Sequence, residues 1–512
     1  MNSLKRILLP IILGLITSFV FYSFSTFTFK EVFWGTWLFT SIGYFVLLLL
    51  FNKFDGDKFI GIILAVSLFL RLGLGLVTTY NLIDWGYDQE PYTSGYLFKD
   101  SYNRDLQAWA LADSDQPILR AFSNDFISDQ YGGLLASSAI IYRLFTGNAH
   151  FQINIIFFVA LINTIGLLFL FHSLKSLSIN NELIPKHKLM LVLFAFYPDA
   201  ILFSSSQMRE PLLIGLSACL FWVVTIQSIS QIKRIVFFSI ISVLLLLVSL
   251  KIGIFIIFSF LILMILQPYA RKIPVIKSKL IYIPLAFIMI IAAYFSYNWI
   301  IEAGKWDAIV LEQRSGFVQY IVSIIGTNYR LPFAASYGLF QPVLPAALVE
   351  PSKLFWRFTH SFRALGWYLI APALVYGIVY FLREKEKDKK IQFGLIWALS
   401  IFWIILSSIR AGGDMWDNPR YRLGFLVFIV YVVGISFWYG WKNKDHWLIR
   451  IYIAELVFVL FFLQWYISRY TGIFDNLSFF QMVVVLSVIF ALIFISGLVS
   501  EIKNRKETKR IS

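Results

Sequence analysis

The stretch KFIGIILAVSLFLRLGLGLVTT, residues 58–79, carries only Lys58 at its start and Arg71 within it as charges. About 18–20 apolar residues cross the hydrocarbon core of a bilayer as a helix, so this run reads as a membrane span. An arginine inside a span is rare and marks a position to explain; the sequence names no partner for Arg71. Similar runs lie near 7–24, 34–51, 151–172, 189–206, 211–229, 279–298, 364–382, 391–409, 421–440, 448–468 and 478–498. The longer run 235–267 is interrupted at SLKIG, which predicts two short helices with Lys251 at the turn. Together these predict an all-α polytopic integral membrane protein with about 14 transmembrane helices.

Composition agrees. Of the 512 residues, 59% are hydrophobic and only 14% charged, whereas a soluble domain is nearer half apolar and a quarter charged. The net charge of +15 has a topological origin. Loops assigned to the cytoplasm hold 26 Lys/Arg against 9 Asp/Glu, leaving 18 basic and 20 acidic residues elsewhere. That asymmetry follows the positive-inside rule and needs no nucleic-acid partner. It predicts a multi-pass protein of the plasma (inner) membrane with both termini cytoplasmic. The first run, after Lys5 and Arg6, lacks a small-residue cleavage site and reads as a retained span. The single cysteine, Cys219, lies in an apolar run and forms no internal disulfide, and the five histidines form no zinc pattern.

The expected organisation is an N-terminal helical hairpin over 1–57, a membrane module over 58–298 with an external loop at 80–150, a second external loop at 299–363, and C-terminal spans over 364–512. The first loop is acidic, with nine Asp/Glu and three Lys/Arg between Asp84 and Asp129. Within it, DSYNRDLQAWALA places Tyr102, Leu106, Trp109 and Ala110 on one helical face. YGGLLASSAIIYRLF is apolar enough to lie in the membrane interface.

Polar residues gather at the external ends of these runs. Asp100 and Asp105 at a helix start suit a base and a metal ligand, or an N-cap and a surface acid. In FYPDAILFSSSQMREPLLIGL, residues 196–216, Pro198 and Asp199 break one helix and Pro211 suits the first turn of the next. Ser206, its neighbouring serines and Arg209 make that helix start a seat for phosphate oxygens. Glu210 either orients Arg209, binds a metal, or closes an internal ion pair. Lys251 binds phosphate or snorkels to water. RAGGDMWDNPRYRLGF brings Arg420 and Arg422 to another external loop, against the usual charge bias, so an anionic partner is expected. Arg330 and His360 in the second loop, and Asp88 and Tyr102 in the first, complete the set of substrate-binding candidates. The set describes one outward-facing site with carboxylates on one wall and cations on the other, which suits a phosphate-bearing lipid.

Three stretches resemble GT-C superfamily glycosyltransferases that use polyprenyl-phosphate sugars, the group of the protein O-mannosyltransferases and aminoarabinose transferases. They are the acidic loop with DSYNRDLQAWALA, the interfacial helix and following span from DQYGGLLASS to LFLFHSL, and FYPDAILFSSSQMREPLLIGL; NPRYRLGFLVF is also similar. The resemblance covers roughly 58–300 and the C-terminal half loosely. It implies a GT-C-like bundle and an inverting transfer from a polyprenyl-phosphate-linked sugar to a protein, glycan or lipid acceptor on the external, periplasmic side. Asp100 matches the loop aspartate that serves as base, with Asp105 second. Arg209, Lys251 and Arg420 would stabilise the departing phosphate. Some members use a divalent cation, Mg or Mn, for which Asp105 or Glu210 would be the ligand. The sequence departs from the family in having Asp100-Ser101 where many members have paired acids, and in the extra pair of spans over 7–51. The first departure keeps Asp84 and Asp88 as rivals to Asp100. A polysaccharide polymerase or ligase working through Arg330, His360 and Arg420, and a lipid-linked-sugar flippase, are the competing readings.

Overall fold

The computed structural model describes all residues except 1–2, 26, 127–131, 148, 179–181, 227, 267–293, 295–296, 474, 476 and 512. The described residues fold into helices and contain no strand. Among the described residues, ten helices are long and apolar enough to span a membrane, or up to eleven if the bent pair Pro185–Phe196 and Pro198–Ser204 is one span. Of the other expected spans, 211–229 and the second half of 235–267 are helices of 16 and 17 residues, and 279–298 lies almost entirely outside the described residues. The expected count of 14 is thus not reached among the described residues: two of those runs make helices shorter than a full crossing, and a third lies outside what is described. Large apolar side chains face outward along these helices, including Ile16 at 55%, Phe69 at 73% and Ile232 at 76% exposure. Water would not tolerate so many, whereas lipid does. The chain is a multi-pass membrane protein.

Contacts divide the chain into two units, Met1–Ser296 with Arg420–Val427, and Tyr297–Pro419 with Phe428–Ser512. The first contains helices α1 (Ser3–Ser23), α2 (Phe29–Lys53), α3 (Lys58–Trp85), α4 (Lys99–Asp113), α5 (Gly133–Ile141), α6 (Ile153–Ser176), α7 (Pro185–Phe196), α8 (Pro198–Ser204), α9 (Glu210–Thr225), α10 (Gln231–Val248) and α11 (Leu250–Leu266).

α3 starts where Asp57 accepts the Ile60 N–H at 2.9 Å, a side-chain N-cap. Its 28 residues reach about 42 Å, more than the hydrocarbon core requires. Arg71 is fully buried on it. One guanidinium nitrogen donates to the Ser67 carbonyl and hydroxyl one turn earlier, and the other to Asn163 Oδ1 of α6 at 2.9 Å. The span therefore supplies Arg71 with neutral oxygen partners. α6 packs against α3 and α9. A Cβ on Gly166 would lie 2.5 Å from the Gly215 Cα, so the α6–α9 crossing depends on two glycines, the small-residue contact common between membrane helices. The chain bends by 42° between α7 and α8, where Pro198 opens α8, and Pro211 sits in the first turn of α9. α10 and α11 break at Ser249, as the SLKIG interruption predicts.

In the second unit, short helices over Ala303–Arg314, Gly316–Ile325, Arg330–Gly338 and Leu344–Val349 precede the long helix Leu354–Arg383. Asp445 begins the helix His446–Thr471: one oxygen accepts the Trp447 N–H at 3.0 Å, while the other accepts the Tyr376 hydroxyl at 2.5 Å and pairs with Arg383.

Candidate functional site

α4 is held from both ends. Gly95 turns the chain towards it with φ of +75°, and a Cβ there would lie 2.3 Å from the Thr79 carbonyl oxygen, so only glycine fits. Phe98, just before the helix, stacks on Phe203 of α8 with ring centres 4.8 Å apart. At the other end Arg143 donates to the carbonyls of Leu111, Ala112, Ser114 and Gln116 at 2.6–3.1 Å, satisfying the last carbonyls of the helix. Arg104, buried, donates to the Gln207 carbonyl at 2.8 Å, and the Gln207 amide donates to Ser138 Oγ at 2.7 Å. These bonds seat α4 against the turn between α8 and α9.

Residues 420–427 reach the same place from far along the chain. The turn Leu423–Phe425 packs on α9, and Ser217 Oγ of α9 donates to the Gly424 carbonyl at 3.2 Å. Arg420 then spans two carboxylates. Its Nε donates to Glu210 Oε1 at 2.5 Å and its Nη1 to Asp100 Oδ2 at 2.8 Å. Arg209 Nε lies 3.4 Å from the same Glu210 oxygen. The four groups differ in exposure: the Glu210 side chain is 1% exposed, Arg420 9%, Arg209 12% and Asp100 51%. Glu210 is thus a buried counter-charge and Asp100 a partner at the surface. Partial burial pushes the Asp100 carboxyl up, but Arg420, with Arg104 and Arg209, outweighs it and holds the group below its ordinary value.

Asp105 belongs to a separate constellation. It is fully buried. Its Oδ2 accepts the Tyr96 hydroxyl at 2.5 Å and His150 Nε2 at 2.7 Å, and its Oδ1 accepts the Tyr142 hydroxyl at 2.6 Å. His150 also stacks on Trp109, ring centres 5.2 Å apart. Burial and the Asp105 carboxylate push both tyrosines up, so they remain donors. The structure therefore surrounds Asp105, expected as second base or metal ligand, with three hydrogen-bond partners and leaves it fully buried. Glu210, the other expected metal ligand, is flanked by two arginines at Oε1. Among the described residues no three His, Cys, Asp or Glu side chains gather as a metal site.

The other expected site residues fall elsewhere. Ser206 is buried, with its hydroxyl donating weakly to the Phe203 carbonyl at 3.4 Å. Arg422 is buried; Asp88 and Lys251 are exposed, Lys251 in the first turn of α11. Tyr102 sets its ring edge-on to Tyr96 and hydrogen-bonds Glu90. Arg330 and His360 belong to the second unit. Arg330 pairs with Glu312, and His360 packs against Trp356 and Trp416, the latter at 5.3 Å between ring centres. In that unit Asp307 accepts the Gly413 N–H at 2.6 Å. Burial, reinforced by Asp414 and Asp417, pushes Asp307 up to about 6 despite that bond and Arg410.

Sequence reasoning missed Arg104, Tyr96, Tyr142, Arg143 and His150. The only advance signal for Arg104 was its place one turn after Asp100 on the same helix. No family model matches the sequence, and no curated protein resembles it closely enough to match.

Proposed function

We propose that the chain is an inverting membrane glycosyltransferase of GT-C type. It moves a sugar from a polyprenyl-phosphate donor to an acceptor hydroxyl on the external face of the plasma (inner) membrane. The observation that supports this is the meeting of Asp100, Arg209, Glu210 and Arg420 in one cluster, from stretches 110 and 210 residues apart in sequence. A cation pair beside a half-exposed carboxylate offers what such a transfer needs.

In this reading Arg420 and Arg209 bind the donor phosphate and Glu210 fixes their guanidinium groups. Asp100 takes the proton of the acceptor hydroxyl. The acceptor oxygen forms its bond to the anomeric carbon from the face opposite the phosphate. The bond from that carbon to the phosphate oxygen breaks, and its electron pair leaves with polyprenyl phosphate. The arginines stabilise the charge that grows on the leaving oxygen, usually the largest single contribution to such catalysis. The apolar helices keep the polyprenyl tail in the bilayer.

The test is transfer from a panel of polyprenyl-phosphate sugars to acceptors in cell-envelope fractions, by purified protein in nanodiscs. Wild type should label an acceptor and Asp100→Asn should fall by about 100-fold or more, the scale of a lost general base. Full activity in Asp100→Asn would remove the assigned base and the reading with it.

A further inference from the structure

The Arg420 guanidinium pairs with a buried carboxylate and with an exposed one, and the two differ in how readily they can leave. Glu210, at 1% exposure, has no water to take its place, and separating a buried pair is strongly unfavourable. Asp100, at 51% exposure, can exchange its bond for water at little cost. Arg420 Nη1 is therefore an anion position filled by an internal carboxylate.

Resting on the reading above, we infer that the donor phosphate and the Asp100 carboxylate compete for Arg420 Nη1, so that donor binding releases Asp100 to act as base. Three arginines, Arg104, Arg209 and Arg420, surround Asp100. Glu210 faces Arg420 and Arg209, and release of Asp100 takes one negative charge away from Arg420, which favours a phosphate ester in its place. A paired Asp100 is a weak base, because Arg420 stabilises its ionised form. Once the phosphate takes Arg420, the carboxylate loses that partner and sits beside an anion, and both changes raise its affinity for a proton. The base is thus engaged until the donor is in place. Binding is ordered, donor before productive acceptor, and a wasteful encounter with an acceptor alone finds no active base.

The experiment measures binding of a short-chain polyprenyl phosphate without sugar to full-length protein in nanodiscs, for wild type, Asp100→Asn, Asp100→Ser, Arg420→Ala and the double variant Asp100→Asn with Arg420→Ala. Removing the competitor should tighten binding about two- to fivefold in both Asp100 variants, the range of an exposed ion pair. The gain should vanish in the Arg420→Ala background. Asp100→Asn should thus bind donor more tightly while transferring more slowly, a split that a merely structural role does not produce. Equal or weaker binding in both Asp100 variants, with wild type binding normally, overturns the competition and leaves the transferase reading standing. A wild-type protein that binds no polyprenyl phosphate overturns the reading and the competition together.

Discussion

Asp100 and Asp105 sit five positions apart, which on an α-helix sets them about 140° apart around the axis. One therefore faces Arg420 at the surface and the other points into the protein, and their substitutions should separate. Asp105→Asn removes the charge and turns an amide donor towards three donors. It should destabilise the fold by about 1–3 kcal/mol or more, read as a lower midpoint of thermal unfolding, with polyprenyl-phosphate binding retained by the folded fraction. Asp100→Asn should leave that midpoint nearly unchanged. Equal unfolding midpoints for the two would show that Asp105 is not the anchor described. The sequence made both acids visible but could not tell them apart, because Tyr96, Tyr142 and His150 lie 9, 37 and 45 residues from Asp105. Arg209 and Glu210 were conspicuous as charges between apolar runs. That Arg420 would bridge Glu210 and Asp100, 320 residues away, depends on tertiary packing that spacing does not encode.

At the scale of elements, helix boundaries were the most legible feature. Pro198, Pro211 and the SLKIG interruption each stand where a helix ends or begins, since a missing N–H or a polar break acts locally. The α6–α9 crossing was not legible, because Gly166 and Gly215 have no mark until their backbones are seen to touch. Any side chain at 215 would meet the Ile162 carbonyl oxygen at 2.6 Å from its Cβ. Gly215→Val should therefore cost about 1–3 kcal/mol and displace the start of α9, lowering both the thermal midpoint in detergent and donor binding. The loop before residue 417 carries a pH dependence of its own. Asp307 has its pKa raised to about 6, above about 3.9 for the unfolded chain. The native state then holds more protons than the unfolded one between those values, so this group's contribution to stability falls as pH rises from about 4 through about 6. Asp307→Asn keeps an oxygen for the Gly413 N–H and removes the titration. Hydrogen exchange of the Gly413 amide should accelerate between pH 5 and 7 beyond its intrinsic rate in wild type but not in the variant. An identical profile in both would contradict the assignment.

For the whole molecule, composition and apolar run length were enough to identify a polytopic helical membrane protein, because a bilayer imposes a single length scale on every span. Span number was less legible, since α9 and α11 are as apolar as their neighbours yet shorter. The proposed function depends on whether a polyprenyl phosphate sits at Arg420. The direct measurement is photo-crosslinking of the full-length protein in nanodiscs with a polyprenyl phosphate bearing a diazirine beside its phosphate, followed by mass spectrometry of the labelled peptides. A phosphate seated at Arg420 should place label on peptides containing Asp100, Arg209 or Arg420, competed away by unlabelled polyprenyl phosphate and lost in Arg420→Ala. Label elsewhere, or the same label in wild type and Arg420→Ala, would contradict it.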